Sequence, residues 1–90
     1  MDKDWIGQIV VSKKGRDKGK FYVVVSILDR FHVLLMDGKK FDYKRQKRKN
    51  KKHLCIITKA EDEILQGILR QDEACLQNII RRLALEAKEV

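Results

Sequence analysis

This sequence predicts a mainly β fold with a helical C-terminus: a small five-stranded barrel followed by one or two helices. Three observations predict it. Short β-branched and aromatic runs, separated by turns built on Gly, Asp and Asn, occupy residues 1–58. Asp37 and Gly38 form a two-residue hairpin signal, because a type I′ turn needs positive φ at both central positions. From Thr58 onward the apolar spacing becomes helical.

The first strand is centred on Ile9, Val10 and Val11, with Trp5 and Ile6 leading into it. A loop over 12–20 follows, then a second strand over 21–28, rich in Val and aromatics. Asp29 and Arg30 make a short turn into a third strand, 31–36. The Asp37–Gly38 turn then returns a fourth strand over 39–43, and the apolar run 54–57 closes the sheet. Closure removes exposed edges. Thr58 and Glu61 have capping-box spacing, and Glu61, Asp62 and Glu63 suit the positive end of a helix. Ile64, Leu65, Ile68 and Leu69 share one helical face; Leu76, Ile79, Ile80, Leu83 and Ala87 share another. One continuous helix would bring Asp72 and Glu73 near the apolar stripe. The pattern therefore favours two helices broken near Gln71, with Asp72 or a neighbour as the new cap; one long helix is the alternative. Gly67 weakens the first helix by about 1 kcal/mol relative to alanine. Packing of the apolar stripe against the barrel is the simpler expectation, and docking of a partner protein or self-association the sharper one. The organisation expected is a barrel over 1–58, carrying a basic arm at 39–53, and a helical element over 59–90.

The chain has 90 residues and a net charge of +8. A domain of this size buries only about 60% of the surface of its unfolded chain, which leaves no room for a deep cleft between domains. The charge is concentrated. Residues 39–58 hold nine basic side chains and one acidic, whereas 59–90 hold five basic and seven acidic. Locally concentrated positive charge points to a polyanionic partner. No apolar stretch approaches the roughly 20 residues needed to span a bilayer, and the polar N-terminus does not read as a signal peptide. Cys55 and Cys75 lie far apart and read as small hydrophobes of a reduced compartment. The expected location is cytoplasmic, without membrane association.

Two basic constellations are candidates for contact with RNA phosphates. In the 13–20 loop, Lys13, Lys14, Arg16, Lys18 and Lys20 surround Gly15 and Gly19, whose freedom from Cβ lets backbone amides approach an anion. In the arm stand Lys39, Lys40, Lys44, Arg45, Lys47, Arg48, Lys49, Lys51 and Lys52. Charge this dense repels itself, so the arm is expected to be poorly ordered until a polyanion neutralises it. Tyr43, beside the arm, is the preferred candidate for stacking on an unpaired base. Phe21, Phe31 and Phe41 are expected in the core, and Trp5 as a lid on the barrel. His32 and His53 have no evident acid–base partner, the glycine loop lacks Walker spacing, and no four-ligand Cys/His set exists. No enzymatic activity, cofactor, metal or small-molecule substrate is expected.

Gly7, Gly15 and the pair Gly19-Lys20, set among β-branched residues and running into a hydrophobic strand that ends at Asp29, resemble the KOW motif. That motif occurs in ribosomal proteins and in transcription elongation factors of the NusG type. The segment is most similar to the KOW-containing large-subunit ribosomal protein family of eukaryotes and archaea and its small bacterial relatives. Many KOW sequences have another glycine just after the lysine; here Phe21 and Tyr22 follow, which favours the ribosomal-type subgroup. The resemblance spans residues 6–37. It implies an SH3-like barrel with RNA binding around the first loop. The resulting expectation is a non-enzymatic RNA-binding protein associated with ribosomal RNA or the ribosome. The alternative is a protein-interaction module of the transcription or translation machinery that uses the barrel and the C-terminal helices.

Overall fold

The computed structural model of the chain describes residues 5–88. Five strands form one antiparallel sheet: β1 (Gln8–Ser12), β2 (Phe21–Ile27), β3 (His32–Met36), β4 (Lys47–Asn50) and β5 (Leu54–Lys59). Their order is β4-β3-β2-β1-β5. Two helices follow, α1 (Asp62–Leu69) and α2 (Glu73–Lys88). The register shifts between Ile9 and Val10 on β1 and between Val24 and Ser26 on β2. Such bulges bend a strand and tighten its twist, which lets a short sheet curl. A single 3₁₀ turn, Lys51–His53, joins β4 to β5. The Lys51 N–H donates to Phe31 O at 2.8 Å and the Lys13 N–H to His53 O at 2.8 Å, so this turn joins the β2–β3 end to the first loop. The result is a small SH3-like barrel with a helical C-terminus, as the sequence predicts.

Alternation along the strands divides the apolar side chains between two faces. Val10, Tyr22, Val24, Val33, Leu35 and Leu54 form an inner cluster, with Trp5, Ile27 and Phe41 packed around it. Ile9, Val23 and Met36 point the other way, against Ala60, Ile64, Ile68, Cys75, Ile79 and Leu83. The helices thus cover the outer face of the barrel. Gly67 has its reason there: a Cβ on it would lie 2.5 Å from Cys75 Sγ, so α1 and α2 can pack this closely only over a glycine. The helical break falls at Gln71, with φ of 54°, and Asp72 Oδ1 accepts the Ala74 N–H at 2.9 Å to start α2.

Four expectations are corrected. The type I′ turn at Asp37–Gly38 does not form, because Gly38 has a φ of 82° but Asp37 is not in the positive-φ region, and 39–43 does not return as a strand. Asp37 Oδ1 accepts the Lys39 N–H at 2.9 Å and the Phe41 N–H at 3.0 Å, and Asp42 Oδ1 accepts from Lys44 and Arg45 at 3.0 and 3.1 Å. These side-chain bonds replace a strand ladder with two consecutive turns. The fourth strand lies instead inside the basic arm, where Lys47–Asn50 pairs with β3. The Thr58–Glu61 capping box does not form, because β5 continues through Lys59 and the Ala60 N–H donates to Gly7 O at 2.7 Å. Glu61 takes the cap position, but its carboxylate accepts from Arg82 Nε at 2.7 Å and not from the helix N–H groups. Finally, Phe31 is 59% exposed rather than in the core, because the Asp29 carboxylate holds its N–H in the β2–β3 turn.

Candidate nucleic-acid interface

The first loop is shaped from its ends inward. The Ser12 N–H donates to Lys20 O and the Gly19 N–H to Ser12 O, both at 2.9 Å, which closes the loop at its base. Gly15 and Gly19 have φ of 93° and 90°, a region costly for residues with a Cβ. At the centre of the loop lies Asp17, only 8% exposed. Its carboxylate accepts the Ser12 and Tyr22 hydroxyls, each at 2.9 Å, and the Lys49 ammonium at 2.7 Å. Lys47 Nζ stands 3.9 Å away. Burial pushes the Asp17 carboxyl up, but the bonds from Lys49, Ser12 and Tyr22 outweigh it and hold the group down at about 2. Tyr22 moves the opposite way: burial, then the adjacent Asp17 carboxylate, raise its phenol.

Lys49 connects two parts of the sequence. It sits on β4 and also donates to Lys14 O at 2.8 Å, so one ammonium fastens the loop to the basic arm. Loop and arm consequently share one face. Between them lies a groove of about 420 Å³ lined by Arg16, Lys20, Lys40, Lys47 and Lys49, with Phe41 and Tyr22 contributing aromatic surface. Lys40 Nζ and Lys47 Nζ lie 5.5 and 5.4 Å from the Phe41 ring centroid, within cation–π range. The Asp17 and Asp37 carboxylates also line the groove but leave cations in excess.

The remaining basic residues occupy other positions. Lys13, Lys14 and Lys18 are exposed on the loop, and Arg48 on β4. Lys44 and Arg45 crown the Asp42 turn. Lys51 Nζ lies 5.7 Å from the Trp5 ring centroid, and Lys52 is exposed beside it. His53 senses this surroundings: desolvation, then Lys14, Lys52, Lys49 and Lys13, hold its pKa below the ordinary value. Tyr43 is placed away from the groove. Its hydroxyl is shared between Gly67 O at 3.1 Å and Asp72 O at 2.8 Å, so the ring braces the junction of the two helices.

Asp17 is the residue that the sequence reading passed over. Its signal was present: it is the only acid in the 13–20 loop, five residues from Ser12 on one side and from Tyr22 on the other. Among the described residues no group of three or more His, Cys, Asp or Glu is placed to hold a metal ion. Nor is any helix among them long and apolar enough to cross a membrane.

No family model matches the chain. A curated relative does: large ribosomal subunit protein eL14 of Aeropyrum pernix is 30% identical over 84 residues, covering 84% of this chain and 81% of the relative. The chain belongs to the eL14 family of large ribosomal subunit proteins. The similarity extends well beyond residues 6–37, so the eL14 relationship includes more than the glycine loop alone.

Proposed function

We propose that this protein is a non-enzymatic RNA-binding protein of the ribosome, contacting ribosomal RNA in the cytoplasm. The observation that carries the reading is the convergence of the 13–20 loop and β4 on one cation-lined groove in a chain of the eL14 family. Phosphates would lie against Arg16, Lys20, Lys40 and Lys47. Lys13, Lys14, Lys18, Lys39, Lys44, Arg45, Arg48, Lys51 and Lys52 would extend the field around them, and Gly15 and Gly19 would shape the contact. Lys49 supports the reading in a different role, holding the loop in place through Asp17. Phosphate contacts of this kind fix position and register while RNA shape selects the site. In this reading the barrel makes the contacts and α1 and α2 brace it.

Crosslinking in cells, followed by sequencing of the attached RNA, tests this. Reads concentrated in one region of large-subunit ribosomal RNA are expected, and reads scattered over unrelated transcripts would count against it. A second reading, a protein-interaction module, draws support from the exposed Leu28, Phe31, Ile56 and Ile57. On that reading, removing these side chains abolishes association with the ribosome while binding to protein-free RNA is unchanged.

A further inference from the structure

A second groove, of about 390 Å³, lies beside the first. Gly19, Lys20 and Phe21 at the loop exit form one wall, Asp37 and Lys39 the rim, and Ile80, Leu83, Ala84 and Ala87 of α2 the other wall. Lys20 and Asp37 line both grooves, so the two adjoin along these side chains. Their chemistry differs. The first has five cations, which suits an ionised backbone. The second has two, Lys20 and Lys39, and a wall that is otherwise apolar. Such a wall gives an ionised phosphate nothing, but it matches the face of a base. Ala84 and Ala87 are exposed and short, leaving the space open.

Resting on the RNA reading above, we infer that this second groove is a site for unpaired bases. An RNA strand that leaves the phosphate groove past Lys20 turns a base onto the α2 wall, with its phosphates on Lys20 and Lys39. The Asp37 carboxylate at the rim repels a phosphate and accepts an N–H from a base edge. In a duplex the faces of the bases are stacked on one another and cannot reach such a wall, so the groove selects single-stranded loops or bulges over paired RNA. The acidic C-terminal segment, a poor partner for a phosphate backbone, thereby acquires a role in choosing which RNA is held.

The test compares a fluorescein-labelled oligouridylate with a fully paired RNA duplex of the same length, using the wild type and Ala84→Leu. The leucine side chain fills the groove from an exposed helical position without offering a ring for a base to stack on, and circular dichroism confirms the fold. Stacking of one base on an aromatic ring, here Phe21, is worth about tenfold in affinity. Ala84→Leu should therefore weaken oligouridylate binding about tenfold, leave the duplex within about twofold, and leave the salt dependence unchanged. In the wild type, the Ala84 and Ala87 methyl resonances should shift on adding oligouridylate and not on adding inorganic phosphate. If Ala84→Leu binds the oligouridylate like the wild type while both bind RNA, the base site is refuted and the RNA reading stands. Equal losses for both probes would mean a blocked backbone path and would also refute it. A wild type that binds neither probe would overturn the RNA reading and this site together.

Discussion

Asp17→Asn tests the construction of the phosphate groove. The substitution keeps the shape and one acceptor oxygen but removes the charge that receives Lys49 at 2.7 Å and the Ser12 and Tyr22 hydroxyls at 2.9 Å. The wild-type carboxyl titrates at about 2 instead of its ordinary 3.8, a difference equivalent to about 2 kcal/mol. The group's pKa is lowered in the folded state, so this stability is fully present above about pH 4 and is lost as pH falls towards 2. Asp17→Asn should therefore cost about 2 kcal/mol at pH 7, and the difference from wild type should close as the pH falls through that window. Urea unfolding followed by the fluorescence of Trp5, the single tryptophan, which packs on the inner cluster, measures it. Equal midpoints at pH 7, or a gap that persists at pH 2, would refute the reasoning. Asp17→Ala should cost more, about 3–5 kcal/mol, because it leaves a nearly buried ammonium and two hydroxyls without their acceptor.

Other outcomes follow from the same contacts. Gly67→Ala should destabilise the protein by about 1–3 kcal/mol in spite of alanine's better helix propensity, because the new Cβ would stand 2.5 Å from Cys75 Sγ; a thermal melt that rises would contradict the packing of α1 on α2. Tyr43→Phe should lose about 1 kcal/mol in urea unfolding, from the bonds to Gly67 O and Asp72 O, and leave RNA affinity unchanged; a marked loss of affinity at unchanged stability would restore Tyr43 as a contact residue. His53, held below its ordinary pKa by desolvation and then by Lys14, Lys52, Lys49 and Lys13, should rise when RNA binds, because phosphates offset those four charges. Imidazole resonances followed through a pH titration with and without RNA read this directly, and an unchanged midpoint would place the RNA elsewhere.

Much of the fold was legible because it rests on local pattern. The runs around Val10 and Val24 alternate between two buried faces, and a strand is the element that does this. The break at Gln71 was legible from Asp72 and Glu73, which a continuous helix would set against its apolar stripe. The fourth strand was not legible, since Lys47, Arg48 and Lys49 carry no apolar signal; they form a strand because β3 supplies a ladder and Asp17 a counter-charge. Charge patterning gave the basic constellations but could not rank their members. Lys49 reads like its neighbours, yet its ammonium is bound internally, and reversing it to glutamate would damage the loop as well as any RNA contact. Tyr43 reads as an aromatic beside cations, but a bond spanning 29 residues to Asp72 O decides its position, and no local pattern encodes that.

The central claim is that RNA phosphates occupy the groove between the 13–20 loop and β4. The salt dependence of affinity tests it most directly, measured for a large-subunit ribosomal RNA fragment with the wild type and with Arg16, Lys40 and Lys47 changed together to glutamine. These three line the groove and leave the Asp17–Lys49 bond in place. Each phosphate contact contributes about 0.7–0.9 to the slope of log affinity against log salt. The variant should bind more weakly, with a slope shallower by about 2–3 and the urea midpoint little changed. A variant that keeps both the affinity and the slope of the wild type would show that the phosphates bind elsewhere.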